Sequence, residues 1–598
     1  MLTAAVQRSP LERAQIVQYR PAIDGLRAVA VIAVFLFHLN RQWLPGGFVG
    51  VDVFFVISGY LITSIIRKDC EAESFSFAKF YQRRIARLVP ASFLVLFATL
   101  AAATFVYLAQ DLASCGANLA AAALSIINIK YLFQGSYFAL SPDAQPVLHY
   151  WSLAVEEQFY LFFPALFLLL FRKAGAYRQR ILIGLCIGSF VLCFAVTRVK
   201  PEWAFYLLPT RAWELLAGGI LASSESDDRK SFPAWLPAVG LLLVLASLVF
   251  VKEGPNFPGL LAVFPVLGTT LILGGGRGRA ESLLSASPMV FIGKMSYSLY
   301  LWHWPIFSLV DYRYFAASSA LRLTLKIVLT ALCCGAGFFL VERPGREFFN
   351  RKSNRRWAFA LLLACVTAGV LVGNFVRRYN YLDATGTVAK GGLILNPQGR
   401  KGTLMLMGDS QGSMYGTAMR EAALKTGMRL IITSEAGVDA LPAVGSEPQV
   451  LWEDSLHIVR KQHPTVIVLA CKWGLALSRN RERARLAVAQ LEDSAGRIIL
   501  LSQPPELPRE ATRAGIRGGN RSPFFEDPRE RSQRVAANAF ISQLASGKVS
   551  VLDIENLFTD SGGAVRLTDS QGNQLFQDAE HLSNFGADLV VKRIAAPL

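Results

Sequence analysis

The feature that most constrains this chain is a series of apolar stretches, each about long enough to cross a lipid bilayer. A transmembrane helix needs about 17 to 25 predominantly apolar residues. Eleven stretches of roughly this length occur before residue 378, and each predicts a membrane span. They lie at 22–39, 46–66, 88–109, 149–171, 181–198, 205–222, 233–251, 259–274, 288–310, 321–341 and 358–377. This pattern predicts a polytopic α-helical membrane domain and excludes an ordinary soluble enzyme.

One further apolar segment, 116–133, is predicted not to span the membrane. Asn118, Asn128 and Lys130 interrupt it, and such side chains are costly in lipid. We therefore interpret it as an interfacial or re-entrant piece. If it crossed the membrane, every later loop would change side.

The distribution of basic residues predicts the orientation of the spans. Alternate loops hold 23 Lys and Arg against 10 Asp and Glu, which accounts for +13 of the net charge of +18. These loops are 1–21, 67–87, 172–180, 223–232, 275–287 and 342–357, and the intervening loops carry five residues of each sign. The positive-inside rule then places the N-terminus in the cytoplasm and the chain after 378 in the periplasm. No cleavable signal peptide is visible, so the first span is the predicted insertion signal.

Two other classes of protein are excluded by sequence. The basic excess is divided among short loops, which speaks against nucleic-acid binding, and no GxxxxGK[ST] phosphate loop occurs. The eight cysteines are scattered without a CxxC pair, so neither a disulfide framework nor a metal site is predicted.

From about residue 400 the pattern becomes that of a soluble domain. Short β-rich runs alternate with helical stretches, which predicts a three-layer α/β fold with a parallel sheet. The runs lie at 403–407, 429–433, 465–470, 497–502 and 549–554. Residues 378–400 contain several Gly and a Pro and are interpreted as a linker. The predicted organisation is therefore a membrane domain of ten spans over 1–345, then 346–400 with a cytoplasmic loop, the eleventh span and the linker, and an α/β domain over 401–598.

Two short motifs at opposite ends of this α/β domain predict a catalytic site. The first strand ends in Gly408-Asp409-Ser410, which places a serine at the carboxyl edge of the sheet, where active sites of parallel sheets lie. Asp578-Ala-Glu-His581 precedes the last helix. A carboxylate three residues before a histidine can orient an imidazole that takes the proton of a serine hydroxyl. Each motif alone is common in helix caps, but the two together favour catalysis.

This pairing resembles the SGNH hydrolase family over roughly the last 200 residues. The resemblance implies that Ser410 is the nucleophile, His581 the general base and Asp578 its orienting partner. It also implies an oxyanion hole, for which Gly437 is the second candidate donor. The asparagine of the family pattern is missing, because the chain reads Cys471-Lys-Trp-Gly474 after the third strand. Either a backbone N–H or Lys472 substitutes for this asparagine, or turnover is slow.

Ionisable residues within the predicted spans are costly in lipid and therefore mark functional candidates. Arg27 and His38 lie in the first span, eleven residues and so roughly 16 Å apart along a helix. Arg27 lies toward the cytoplasm, where a cation can bind a phosphorylated donor; the alternative is that it only reaches toward the interface. The basic run Arg83-Arg84-Ile-Ala-Arg87 is either a topology anchor or a grip on a nucleotide diphosphate. Further candidates for a membrane-core site, or for internal ion pairs, are Asp52, Glu156, Arg211, Glu214 and His303.

Several of these segments resemble the membrane acyltransferase-3 family, in order, over about 19–345. The carriers of the resemblance are RPAIDGLRAVAV ending at His38, GGFVGVDVFFVISGYLIT, FYQRRIARLVP, HYWSLAVEEQFYLFFP, the Arg211 to Glu214 segment and SYSLYLWHWP. The family moves acyl groups, usually acetyl, from cytoplasmic acyl-CoA to cell-surface polysaccharides. The resemblance implies donor binding by Arg27, Arg84 and Arg87 and a base role for His38. Acetyl-CoA is then a substrate, and no permanently bound cofactor or metal is expected.

The fusion of this membrane domain with an SGNH-like domain resembles bacterial O-antigen O-acetyltransferases. It implies an inner-membrane O-acyltransferase that contacts membrane lipid and modifies a surface polysaccharide or lipid-linked glycan. The O-antigen of lipopolysaccharide, peptidoglycan, an exopolysaccharide and a lipid-linked oligosaccharide all stay open as acceptors. Three alternatives stay open. The membrane domain transfers the acyl group directly while the outer domain selects the acceptor, or it is a transporter beside a separate carbohydrate esterase, or it only anchors a de-acetylating esterase.

Overall fold

The computed structural model describes most of the chain, in two compact units. The described residues are 19–107, 109–133, 144–224, 233–276, 278–315, 317–380, 382–384, 386–444, 449–508, 511, 523–571 and 573–596. One unit extends to Val106 and comprises also Ser114–Arg313 and Ser318–Asn374. The other comprises Tyr107–Ala113, Tyr314–Ala317 and Phe375–Leu598.

The first unit is built of helices, and every predicted span coincides with a helix. The helices are α1 Pro21–Leu39, α2 Gly50–Glu71, α3 Phe77–Val106, α4 Ala109–Ala123, α5 Ile127–Leu132, α6 Tyr150–Lys173, α7 Arg178–Val199, α8 Pro201–Tyr206, α9 Leu208–Ser224, α10 Leu236–Phe250, α11 Val263–Gly274, α12 Arg279–Leu284, α13 Ser287–Arg313, α14 Ser319–Ala336, α15 Arg343–Phe349 and α16 Arg355–Asn380. A π-helical turn, Gly337–Glu342, joins α14 to α15.

Seven helical segments of the described chain are long and apolar enough to cross a membrane. They are Pro21–Leu39, Gly47–Glu71, Phe77–Val106, Tyr150–Lys173, Arg178–Val199, Ser319–Phe349 and Lys352–Asn380. Four predicted spans fall outside this set, for two physical reasons. Helices α10 and α11 have only 15 and 12 residues. Helices α9 and α13 carry polar side chains, such as Arg211 and His303, which are buried among other helices. The chain is a multi-pass membrane protein, and the count of eleven stays a prediction.

The segment 116–133 is broken in the structure, as its polar residues predict. Helix α4 ends at Ala123, Ser125 has a positive φ of 55°, and the six-residue α5 follows. The side-chain amide of Asn118 donates to Gln145 Oε1 over 2.6 Å, and Lys130 donates to Asn118. These polar groups are therefore satisfied within the protein.

Small residues bring two pairs of membrane helices into close contact. On α2, a Cβ added to Gly59 would lie 1.8 Å from the carbonyl oxygen of Leu215 on α9. On α13, a Cβ added to Gly293 would lie 1.8 Å from the carbonyl oxygen of Asp24 on α1. Glycine at such contacts is typical of membrane helices, whose association depends on close packing. These two pairs bring together the helices that carry the ionisable residues.

The second unit contains one six-stranded sheet with the strand order β1-β3-β2-β4-β5-β6. The strands are β1 Leu393–Leu395, β2 Thr403–Gly408, β3 Arg429–Ile432, β4 Val466–Ala470, β5 Arg497–Leu501 and β6 Val549–Leu552. The five predicted strands are all present and parallel to one another. The prediction of a purely parallel sheet is wrong, because β1 pairs antiparallel with β3.

The antiparallel strand also corrects the interpretation of 378–400 as a linker. Leu382, Ala384 and Val388 are buried in the core of the second unit, and β1 forms the edge of its sheet. The Gly and Pro residues of this segment mark turns between short packed pieces, which composition alone does not distinguish from a free tether.

Helices cover both faces of this sheet. They are α17 Ser410–Ser413, α18 Gly416–Thr426, α19 Val450–Gln462, α20 Trp473–Arg479, α21 Glu482–Glu492, α22 Pro528–Ser542, α23 Glu555–Phe558 and α24 Asn584–Ala595. Every residue of β4 is buried, as expected of a central parallel strand between two helical layers. This architecture places the ends of β2, β3 and β4 beside one another at one edge.

Candidate active sites

The structure brings Ser410, His581 and Asp578 into one chain of hydrogen bonds. His581 Nε2 lies 2.9 Å from Ser410 Oγ, and His581 Nδ1 lies 2.9 and 3.0 Å from the two carboxylate oxygens of Asp578. Because Nδ1 donates to the carboxylate, Nε2 carries the lone pair that can accept the serine proton. The arrangement is that of a nucleophile, a general base and its orienting acid.

The charges within this triad support that division of roles. Partial burial opposes the imidazolium, but the hydrogen bond and charge of Asp578 outweigh it and raise the pKa of His581 above its ordinary value. Burial also opposes the carboxylate of Asp578, yet the hydrogen bond and charge of His581 lower its pKa. Asp578 therefore stays ionised while His581 takes and returns a proton.

Asp409 has a structural role in the serine turn. Its Oδ1 accepts the backbone N–H of Gln411 over 2.8 Å, and its Oδ2 accepts the backbone N–H of Lys472 over 2.9 Å. Burial raises the pKa of this carboxyl. The residue ties the turn after β2 to the end of β4 and so fixes the place of Ser410.

Two backbone N–H groups are available for an oxyanion hole. Ser410 begins α17, and in the described chain its N–H forms no hydrogen bond. The loop after β3 lies against the same turn, because the Glu435 N–H donates to the Gly408 carbonyl over 3.1 Å. Gly437, two residues further on, has a φ of 78°, and its N–H also has no partner among the described residues. The structure thus keeps Gly437 as the second candidate donor.

Lys472 is engaged elsewhere, so the expectation that it replaces the missing asparagine is not supported. Its backbone N–H is used by Asp409, and its ammonium lies 3.2 Å from Glu506 and 2.9 Å from Glu580. The Gln411 side chain donates to the Glu580 carbonyl over 2.6 Å. The sequence did not predict these contacts. They hold the loop that contains Glu580 and His581 in place beside Ser410.

In the membrane unit, the three predicted donor-binding arginines line one cavity. Arg27, Arg84 and Arg87 share the walls of this cavity with Glu156 and Tyr300. The Arg27 guanidinium also lies 3.4 Å from Asp24. Three cations in a largely apolar cavity form a site suited to a phosphorylated, partly apolar ligand.

Glu156 and one further carboxylate accompany these cations. Glu156 accepts hydrogen bonds from Ser58 and Tyr160, two residues that the sequence did not single out. Glu342 was counted as part of a cytoplasmic loop, but it is buried in the π-helical turn, where it accepts the Ser298 hydroxyl over 2.5 Å. The sequence signal that could have identified Glu342 is its position directly after the apolar stretch 321–341.

His38 belongs to a different cluster from the arginines. Its Nδ1 lies 3.0 Å from His303 Nε2, and His149 packs edge-on against His303 with ring centroids 5.6 Å apart. His303 and His149 are each about 1% exposed. The sequence marked His38 and His303 separately but could not pair two residues 265 positions apart.

The remaining candidates form a separate buried ion cluster. Arg211 lies 3.2 Å from Asp52 and 2.9 Å from Glu214, and all three are at most 1% exposed. Phe55, Trp151, Phe205 and Phe257 surround the guanidinium. The five candidates for a membrane-core site are thus divided among the cavity, the histidine cluster and this ion cluster.

The described residues contain no metal-binding site. The eight cysteines form no disulfide, and no group of three His, Cys, Asp or Glu side chains within the described residues has a metal-binding arrangement.

Together, the fold and these sites define a multi-pass membrane protein joined to an α/β domain with a Ser-His-Asp triad. Residues 20–372, more than half of the chain, match the family described as "Acyltransferase domain", and residues 381–596 match the "SGNH domain (fused to AT3 domains)". The chain belongs to this acyltransferase family, and the resemblance found in the sequence is confirmed.

Similar proteins include several O-acetyltransferases. The chain is 32% identical over 393 residues to O-acetyltransferase OatA of Staphylococcus aureus, which is 61% of this chain and 65% of the relative. It is 34% identical over 353 residues to peptidoglycan O-acetyltransferase OatA of Listeria monocytogenes, covering 55% of this chain and 56% of that protein. A putative O-acetyltransferase, SAS0844 of Staphylococcus aureus, is 33% identical over 349 residues, covering 55% of this chain and 58% of that protein. The matches therefore span less than two thirds of each of these relatives.

Proposed function

We propose that this protein is an O-acyltransferase that moves an acetyl group from cytoplasmic acetyl-CoA to hydroxyls of a cell-surface polysaccharide. The observation that carries the proposal is the hydrogen-bonded chain Ser410–His581–Asp578, in a domain whose family is fused to membrane acyltransferases. The membrane unit supplies the acyl group and the SGNH domain completes its transfer.

The donor step uses the arginine-lined cavity. Arg27, Arg84 and Arg87 bind the phosphates of acetyl-CoA, which is a substrate, so the enzyme needs no permanently bound cofactor. The charged adenosine diphosphate half stays on the cytoplasmic side, because moving it through lipid is prohibitively costly. A hydroxyl of an acyl carrier attacks the thioester carbonyl while His38 accepts the hydroxyl proton. The acyl–sulfur bond breaks, and His38 returns the proton to the sulfur so that CoA departs as a thiol.

The acceptor step uses the triad. Ser410 Oγ attacks the carbonyl of the carrier ester while His581 takes the serine proton. The serine ester forms as the bond from the acyl group to the carrier oxygen breaks, and His581 returns the proton to that oxygen. A sugar hydroxyl then attacks this ester, His581 removes the hydroxyl proton, and Ser410 is regenerated. In the competing route the membrane unit transfers the acetyl group directly and the SGNH domain only selects the acceptor.

The acceptor we propose is an envelope polysaccharide, and the names of the relatives favour peptidoglycan. The Listeria relative is named a peptidoglycan O-acetyltransferase, whereas the fusion pattern in the sequence pointed to O-antigen of lipopolysaccharide or another lipid-linked glycan. The +13 excess in alternate loops supports a multi-pass inner-membrane protein with a cytoplasmic N-terminus and a periplasmic SGNH domain.

The test measures base-labile acetate on purified peptidoglycan and, separately, on lipopolysaccharide. Cells that lack the gene receive the wild-type chain or one of the variants Ser410→Ala and His38→Ala. Both variants are expected to lower glycan acetate at least about 100-fold, because each removes a group of the transfer chemistry. Ser478→Ala and His457→Ala, at exposed positions, are the matched controls and should retain wild-type acetate.

Each other outcome identifies a competing function. A loss with His38→Ala alone supports direct transfer by the membrane unit. Extra acetate with Ser410→Ala indicates a de-acetylating esterase on a membrane anchor. Unchanged acetate with both variants contradicts the relay and favours a transporter with a separate esterase.

A further inference from the structure

The histidine cluster of the membrane unit fixes the position of its own protons. His303 Nδ1 lies 2.7 Å from the backbone carbonyl oxygen of Tyr300 and 3.2 Å from that of Leu299. A carbonyl oxygen accepts hydrogen bonds and cannot donate one. His303 therefore carries its hydrogen on Nδ1, and the neutral ring has its lone pair on Nε2.

The same reasoning applies to the next imidazole. His303 Nε2 lies 3.0 Å from His38 Nδ1, so His38 must supply the hydrogen of this bond. The two rings lie within 18° of a common orientation, and the indole of Trp304 packs edge-on against His38 with centroids 4.5 Å apart. The lone pair of His38 is consequently on Nε2.

The burial of His303 favours the neutral form of its ring. The residue is about 1% exposed, and moving a charge from water into a protein interior is costly. The hydrogen-bond direction derived for the neutral His303 ring therefore holds.

We propose that His303 is a positioning residue that holds His38 in the Nδ1–H tautomer and directs its Nε2 to the acyl-transfer chemistry. In the SGNH domain, Asp578 likewise holds His581 through Nδ1 so that Nε2 faces Ser410. The difference is that the hydrogen-bond chain from His38 ends at a backbone carbonyl, which cannot pass a proton on. His303 thus orients the base and does not relay its proton.

The first test is solid-state ¹⁵N NMR of the full-length, ¹⁵N-histidine-labelled protein in lipid bilayers. The chain has six histidines, and a His38→Gln sample identifies the signal of His38 by difference. The expected signal is a neutral ring protonated at Nδ1. His149 is an internal control with the opposite tautomer, because its Nε2 lies 3.1 Å from the Leu301 carbonyl oxygen. A His38 ring that is protonated at Nε2, or charged, overturns the proposal without any His303 variant.

The second test compares two His303 variants in acetyl-CoA-dependent transfer. His303→Gln retains an acceptor oxygen near the position of Nε2, whereas His303→Leu removes it. We expect His303→Leu to lower kcat by about 10² to 10⁴-fold, with KM for acetyl-CoA within about threefold of wild type, and to mix the His38 tautomers. His303→Gln should recover most of kcat. Equal losses in both variants with an unchanged His38 tautomer contradict a positioning role.

The inference rests on His38 being the base of the proposed function, and the two failures are distinguishable. If His38→Ala leaves transfer intact while the NMR shows the Nδ1–H tautomer, the proposed function fails and the tautomer assignment stands. If His38→Ala abolishes transfer while the tautomer is Nε2–H, the proposed function stands and the role of His303 fails.

Discussion

At the scale of single residues, the two aspartates of the SGNH motifs show how position decides role. Asp409 and Asp578 each lie close in sequence to a residue of the triad. Both carboxylate oxygens of Asp409 accept backbone N–H groups. Both carboxylate oxygens of Asp578 instead lie within hydrogen-bond distance of the His581 imidazole. Only the second can respond when the imidazole gains a proton.

This difference predicts the pH dependence of the acceptor step. His581 must be neutral to take the serine proton, and its pKa is raised by Asp578, so activity should fall as the pH drops through a value above 6.5. The measurement is kcat/KM for hydrolysis of an activated acetyl ester by the full-length protein. An acidic limb below pH 6.5 in the wild type contradicts the assignment.

The variant Asp578→Asn sharpens the same prediction. Burial lowers the pKa of His581, and without the Asp578 carboxylate only the charges of Glu580 and Asp409 oppose it. The acidic limb should therefore move to lower pH, and kcat should fall by about 10³ to 10⁴-fold. Asp493→Asn is the matched control. Asp493 is exposed and precedes the amino end of β5, whereas Ser410 follows the carboxyl end of β2. It should leave both the limb and kcat unchanged.

Much of the triad could be predicted from sequence because its motifs are local. Ser410 follows a strand, and Asp578 and His581 are three residues apart. The pairing of His38 with His303, the burial of Glu342 and the engagement of Lys472 by Glu506 and Glu580 depend on tertiary contacts. No spacing in the sequence encodes these contacts.

At the scale of secondary-structure elements, helix contacts in the membrane unit depend on glycine. The α2–α9 pair approaches closely at Gly59, and at Gly218 an added Cβ would lie 2.0 Å from the Val56 carbonyl oxygen. The same helices hold Asp52 and Arg211 in contact. Close approach of the backbones thus determines whether the buried ion cluster forms.

Gly59→Ala is therefore expected to destabilise the membrane unit. The added methyl group would force α2 and α9 apart and weaken the Asp52–Arg211 contact, at a cost of about 1–3 kcal/mol. Thermal denaturation of the purified protein in detergent should show a lower Tm. Gly188→Ala on α7 is the control, because nothing lies within 4 Å of the added Cβ. Equal Tm values for the two variants contradict the role of the contact.

The elements themselves were predicted to different degrees, for physical reasons. Apolar length located the seven helical segments that are long and apolar enough to cross a membrane, and alternating strand and helix patterns located the five parallel strands. The three-residue β1 was missed, because so short a strand has no periodicity of its own and is stabilised by its pairing with β3. The number of spans depends on helices α9, α10, α11 and α13, which are short or polar.

At the scale of the whole molecule, the asymmetry of charge is the strongest prediction about orientation. We expect the loops with the basic excess to stay in the cytoplasm, because translocating Lys and Arg is unfavourable. With the predicted odd number of spans, the SGNH domain is then expected on the periplasmic side. This prediction concerns the chain as a whole, since one additional span in 116–133 would reverse it.

Reporter fusions test this orientation. Alkaline phosphatase fused to the C-terminus should be active and green fluorescent protein there should be dark, since each folds on one side of the membrane only. Fusions placed after Ala174, between α6 and α7 in the basic segment 172–180, should show the opposite pattern. Fluorescence at the C-terminus would show that the span count or the treatment of 116–133 is wrong.

The packing of Leu382, Val388 and strand β1 determines where the SGNH domain can be separated from the membrane unit. A fragment that starts at 401 lacks the core residues Leu382 and Val388 and leaves the edge of β3 uncovered. Bare strand edges of this kind favour aggregation. A soluble fragment for expression or crystallisation therefore has to begin no later than Leu382, so the cut belongs directly after the last apolar helix.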